Sequence, residues 1–284
     1  MPPTPGPGLQ AGSGHRHPGS FVLNNGSLWR AALVALVIVP QFVSDAGAAS
    51  DRRPPPSNAP AKAPPEYTRF SAAELQRGFL ALAFGSDLRI GAKPRGVRRF
   101  DGPIRAHIVA GGSIVRSEAM AGIVADYAAK VANLQLGLTA DRRDADIEIR
   151  LIDEKDFKSA LRLAFGDAVA RNFVQRTNPQ CMTSVKSNAD GVILRSVSFI
   201  IVDKGDKVFR DCGYHELLHA FGLSNHDQRN PWTTLNQNRT VGYLTVYDRS
   251  LLTLLYDPRI APGMTATAAK AALPDIIDSL HLAE

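Results

Sequence analysis

Cysteine is scarce in this chain, with two residues among 284, and neither lies near the apolar run at the N-terminal end, so no lipid-modified anchor is expected there. Long apolar runs are also missing. The best candidate, residues 31–39, is nine residues long, well short of the roughly 20 that a helix needs to cross a bilayer. Aromatics make up only 7% of the chain, and none is interleaved in the one small basic group, Lys93, Arg95, Arg98 and Arg99. That group therefore reads as a solvated loop, and no nucleic-acid partner is expected. The absence of internal repeats excludes a solenoid. What remains is an ordinary globular composition, 44% hydrophobic and 21% charged with a net charge of +6. The length allows one large domain or two small ones.

Residues 1–20 are rich in Pro, Gly and Ser. Arg30 then precedes the apolar run, and the small residues Ala46, Gly47, Ala48 and Ala49 follow it. This is the order of a secretory signal with a long n-region, so 1–49 is expected to be a signal peptide and the protein to be exported, periplasmic or secreted. Retention as an inner-membrane anchor through residues 28–43 is the alternative. Residues 50–66 hold six prolines and read as an extended linker. A single folded domain is expected over 67–284.

Within that domain Ser71 and Glu74 form a capping-box pattern ahead of Leu75, Phe79 and Leu82, which share a helical face. A strand is expected over 104–109, then a long helix over 117–136 ended by Gly137. The alternation at 145–152 predicts a half-buried strand, and 154–175 another helix. Two strands follow, 191–195 and 196–202. A helix begins near Asp206 and stops at Gly222. A polar loop over 225–238 leads to a helix that opens at Thr245, where Asp248 completes a second capping box, and that ends at Pro258. A short terminal helix starts at Thr265.

The helix before Gly222 carries the chemistry. It contains His215-Glu216-x-x-His219. Residues four apart share one helical face, so both imidazoles can reach one zinc ion, while Glu216 can take a proton from a water in an open coordination position. Gly222 can reverse the chain without a steric penalty, and the next histidine is His226. Three of the chain's seven histidines lie in this stretch. For an exported chain, a disulfide between Cys181 and Cys212 is expected. Alternatively Cys212, three residues before His215, could approach the metal. Tyr243 and Tyr247 are candidates for an oxyanion donor or for core packing, and His107 reads as a packed histidine in a strand.

The order of elements, with the zinc-motif helix and its glycine turn, resembles the metzincin catalytic domain, especially matrixins and snapalysin-like proteases. From about Phe79 to Met264, with Gly222-Leu-Ser-Asn-His226 and Leu255-Tyr-Asp-Pro258, the chain is also similar to a family of exported proteobacterial proteins. That family is known as a zincin-like domain of unknown function. The resemblance implies an α+β fold with an α/β-like first half: a twisted, mostly parallel sheet, a long helix and a zinc-motif helix, then a helical C-terminal part. It implies a zinc metalloendopeptidase acting on peptides or proteins, with Glu216 as general base. By the metzincin pattern the third ligand would be Asn225. Since asparagine binds zinc poorly, His226 is the expected ligand and Asp227 the second choice. The methionine of the metzincin Met-turn is replaced by Leu235 in Thr233-Thr-Leu235-Asn.

Overall fold

Strands β1 (Ile104–Val109), β2 (Leu136–Leu138), β3 (Ile147–Ile152), β4 (Cys181–Ser187) and β5 (Ile193–Ile201) form one sheet in the order β2-β1-β3-β5-β4. All neighbours are parallel except β4, which runs antiparallel to β5 along one edge. Among the described residues they are accompanied by the helices α1 (Ala72–Phe84), α2 (Ser117–Lys130), α3 (Glu154–Phe165), α4 (Asp206–Phe221), α5 (Val246–Leu255) and α6 (Ala266–Ser279). The computed structural model describes residues 67–85, 95–168, 170–171 and 180–282. The expected signal and linker, and Lys93, lie outside them. The fold is thus mixed α/β with a mostly parallel five-stranded sheet. Among the described residues no helix is long and apolar enough to cross a membrane.

Strand periodicity divides the core between the two faces of the sheet. Ile193, Ile200 and Val202 enter the main core with α2 and α4, while Phe199 and Ile201 join Phe157 and Leu161 of α3 in a smaller cluster. Strand β3 is buried almost throughout instead of half-buried as expected, because it lies between β1 and β5 and its Glu148 is enclosed by arginines. Phe209 and Phe221 on α4 are fully buried in the main core, each contributing about 1.5–3 kcal/mol.

Several expected boundaries move. Helix α2 stops at Lys130, six residues early: Val131 is already extended, and Asn133 takes a left-handed conformation (φ 63°) that turns the chain. Asparagine tolerates that region better than most residues. Gly137 therefore ends no helix and lies inside the edge strand β2. The two strands expected over 191–202 are one strand, β5, and its partner β4 comes from a segment with no strand expectation. The helix expected over 154–175 is α3, ended at Gly166, with part of the remainder outside the described residues. The capping box at Ser71 and Glu74 is present.

Candidate metal centre

Helix α4 is held by hydroxyl groups of the sheet, of α2 and of the end of α5 that donate to its backbone carbonyls. Tyr127 donates to the Tyr214 carbonyl at 2.6 Å, Thr183 to that of Glu216 at 3.1 Å, Ser196 to that of Ala220 at 3.0 Å and Tyr256 to that of Phe221 at 3.1 Å. Cys212, one turn before His215, is bonded to Cys181 at the start of β4. This adds a covalent tie worth about 3–4 kcal/mol on a chain-entropy account, and it removes Cys212 from contention as a ligand. Gly213 lets α2 approach closely, since a Cβ there would lie 2.6 Å from the Ile123 side chain. A helix secured on several sides presents His215 and His219 in fixed positions.

The third histidine arrives through the turn after α4. Gly222 adopts φ 121°, and a Cβ at this position would meet the Arg98 carbonyl oxygen at 2.0 Å. Ser224 and Asn225 are then strapped to the end of α1. Both backbone N–H groups donate to the Leu82 carbonyl, and the Asn225 side-chain amide donates to that of Ala81 at 3.0 Å. Asn225, where a metzincin would place its third ligand, thus points to α1. Gly85 is matched to it, because a Cβ there would lie 1.9 Å from the Asn225 amide nitrogen. The next residue, His226, reaches the other two histidines.

The three Nε2 atoms form a nearly equilateral triangle: 3.1 Å from His215 to His219, 3.1 Å from His215 to His226 and 3.2 Å from His219 to His226. Their tautomers follow from the far side of two rings. His215 Nδ1 faces the Thr234 carbonyl at 2.9 Å, and His219 Nδ1 faces that of Leu223 at 2.6 Å. A carbonyl only accepts, so each Nδ1 carries the proton and each Nε2 turns a lone pair inward. Two lone pairs about 3 Å apart repel unless a cation lies between them. Tetrahedral coordination at about 2.0–2.1 Å would set nitrogens about 3.3 Å apart, close to the spacing observed. The group could hold a metal ion. Burial pushes His215 down to about 4 and His226 to about 3, the latter helped by His215. Burial together with the neighbouring histidines also takes His219 well below the usual range. All three are therefore neutral at pH 7, the form that binds metals.

Glu216 follows His215 on α4, 3% exposed, and its Oε2 has no hydrogen-bond partner among the described residues. Burial drives its pKa up to about 8, partly offset by the Thr183 hydroxyl. Positive charge at the histidines would favour the carboxylate.

Beneath His215 lies the turn 233–236, with Leu235 fully buried at the position expected to replace the Met-turn methionine. The sequence reading missed how this turn is held. Asp248 does not complete a capping box; Thr245 caps α5 alone, accepting from the Asp248 backbone N–H at 3.0 Å. The Asp248 carboxylate is fully buried and receives the Thr233 hydroxyl at 2.5 Å and both the hydroxyl and N–H of Thr234 at 2.8 Å. Burial raises its pKa against those bonds. Asp248 thereby fixes Thr234, whose carbonyl orients His215. The only sequence signal was the pair of adjacent threonines at the Met-turn position.

The remaining candidates have other surroundings. Asp227 stands outside the triangle: its N–H donates to the Leu235 carbonyl and its carboxylate accepts the Arg229 N–H at 3.1 Å. Tyr247 is buried with its hydroxyl on the Glu74 carbonyl at 3.4 Å, and Tyr243 packs against the core. His107 is a half-buried strand residue bonded to the Thr139 carbonyl at 3.0 Å. Arg99, expected in a solvated loop, instead donates to the Leu255, Asp257 and Ile260 carbonyls and lies over Tyr256.

No curated protein and no solved structure matches this chain. A family model does match, over residues 72–275, from the first turn of α1 to the middle of α6 and across the whole candidate centre. The chain belongs to the family described as protein of unknown function, DUF2927.

Proposed function

We propose that this protein is an exported zinc-dependent peptidase with a zincin-like catalytic domain. The observation that carries the reading is the convergence of three neutral imidazoles, with the next residue after His215 on the helix a buried glutamate that has an open carboxylate oxygen. His215, His219 and His226 would hold the ion. An all-imidazole set suits zinc better than a hard cation such as calcium or magnesium. Zinc at this position supplies a Lewis acid that polarises the scissile carbonyl and acidifies an attacking water.

The chain's own contribution centres on Glu216. Its carboxylate takes the proton of the water that attacks the peptide carbonyl and returns it to the leaving amine, so that the C–N bond breaks with a free amine and a carboxylate as products. Asp248, through Thr234, keeps His215 in the metal-binding tautomer. Export is supported by the disulfide, a bond that persists in oxidising compartments, together with the signal-like N-terminal sequence.

The test is metal analysis of the purified protein followed by a peptide-library digest, with Glu216→Gln as control. One zinc per chain is expected in both proteins, with cleavage reduced about 10²–10⁴-fold in the variant. Stoichiometric zinc without cleavage of any peptide would instead make the protein a catalytically silent binding module of the cell envelope.

A further inference from the structure

Within the basic group at 93–99, the partly buried Arg98 guanidinium has found no acceptor among the described residues. The chain at 97–99 runs beside the start of β5: Arg99 bridges Val192, the Arg99 N–H donates to the Gly191 carbonyl, and the Ile193 N–H donates to the Arg99 carbonyl. Successive side chains in extended backbone alternate in direction. Arg99 goes to Tyr256 and the carbonyls after α5, leaving Arg98 directed away from them. The Arg98 backbone packs against Gly222, immediately beyond the helical turn that carries His219. The two side chains are close enough that the arginine charge opposes protonation of His219.

Its electrostatic position is unusual. The residue is half-buried, and Nε is buried with no hydrogen-bond partner among the described residues. Burial alone lowers its pKa, and no described carboxylate offsets that effect. The contrast with Arg142, Arg150, Arg195 and Arg259 is plain, since each of these meets a carboxylate within 2.8 Å. A half-buried guanidinium without a counterion is costly in an isolated protein. It is suited to a planar, bidentate oxygen acceptor brought in from outside.

We infer that Arg98 is the anion-recognition residue of the candidate centre, receiving a carboxylate carried by the substrate next to the bond that is cleaved. The inference rests on the peptidase reading of the same site. It narrows the substrate class to peptides with a carboxylate, side-chain or C-terminal, near the scissile bond.

Two small metal-directed probes test it: acetohydroxamate, and the monohydroxamate of succinate, which adds a carboxylate. Each is titrated calorimetrically into the zinc-loaded full-length protein and into its Arg98→Gln and Arg98→Lys variants. The succinate compound is expected to bind the wild-type protein about ten-fold more tightly. The advantage should vanish in Arg98→Gln and return in part in Arg98→Lys, with acetohydroxamate affinity and zinc stoichiometry unchanged. Comparing N-acetylated dipeptides having a free or amidated C-terminus, and having Asp or Asn beside the scissile bond, then separates the two sources of carboxylate. Equal affinities for the two hydroxamates in zinc-loaded wild-type protein, or an advantage that survives Arg98→Gln, overturns the inference and leaves the metal centre standing. Equal weakening of both probes in Arg98→Gln also overturns it, assigning the arginine to the oxyanion at the metal. A wild-type protein that takes up no zinc removes both readings together.

Discussion

Two fully buried glutamates, Glu148 on β3 and Glu216 on α4, have been driven in opposite directions by their surroundings. Glu148 is completely enclosed, yet three arginines reach it: Arg142 at 2.8 Å, Arg150 at 2.5 Å and Arg195 at 2.6 Å. Burial pushes its pKa up, but the hydrogen bonds from these arginines outweigh that and bring it down to about 2. Glu216 has one oxygen with no described partner, and burial takes it up to about 8. One residue type thus serves two roles. Where every oxygen is satisfied by arginines the carboxylate is held ionised, and where one is left open burial favours its protonated form.

The comparison can be broken most sharply by the same conservative change at both positions. Glu148→Gln leaves three guanidinium groups around a neutral amide, and a loss of about 3–5 kcal/mol is expected in urea unfolding at pH 7. Zinc content should not change. Glu216→Gln should do the reverse in metal-free protein. A carboxyl group whose pKa is raised on folding costs stability as pH rises above its unfolded value near 4.5, and the cost is complete above the folded value near 8. Metal-free Glu216→Gln is therefore expected to melt with the wild type at pH 4.5 and several degrees above it at pH 8. Glu148 has the opposite sign: its contribution is full above the unfolded value and disappears as pH falls toward 2. Identical pH profiles for the two variants would show that the environments are not as different as their contacts imply.

A smaller effect separates Asp248 from both. Asp248→Asn keeps the shape but cannot accept all of the donors from Thr233 and Thr234, and the turn that orients His215 should loosen. Zinc affinity is expected to fall about 10–100-fold in a chelator competition, while Asp227→Ala, altered outside the triangle, leaves it within about two-fold. The histidines themselves set an acid limit. Because folding lowers their pKa values, metal-free protein should lose stability as pH drops from about 6.5 toward 4.

The candidate centre was legible in the sequence where the signal was local. His215, Glu216 and His219 are bound to one another by helical spacing, and any α-helix at that point places them together. Gly222 was legible for the same reason, being the residue for which a left-handed turn is cheapest. The choice of His226 over Asn225 and Asp227 rested on ligand chemistry, and the geometry behind it was invisible: Asn225 is held by carbonyls of α1, more than a hundred residues away. The strand β4 and the early end of α2 were missed because Cys181–Ser187 has little apolar alternation, and a single asparagine carries the stop at 133.

By itself, then, the sequence determined which residues could carry the chemistry and where the helices and most strands begin, since those depend on neighbours within a turn or two. It also placed two cysteines where an oxidising compartment would join them, and the fold sets their Cα atoms 5.8 Å apart. Only the tertiary structure decided which glutamate is neutralised and which is left open, that Asp248 serves the turn below His215 instead of a helix end, and that Arg99 is bound to carbonyls while the Arg98 charge is felt at His219. Those outcomes depend on buried partners brought from distant parts of the chain, where desolvation makes the presence or absence of a single hydrogen bond decisive.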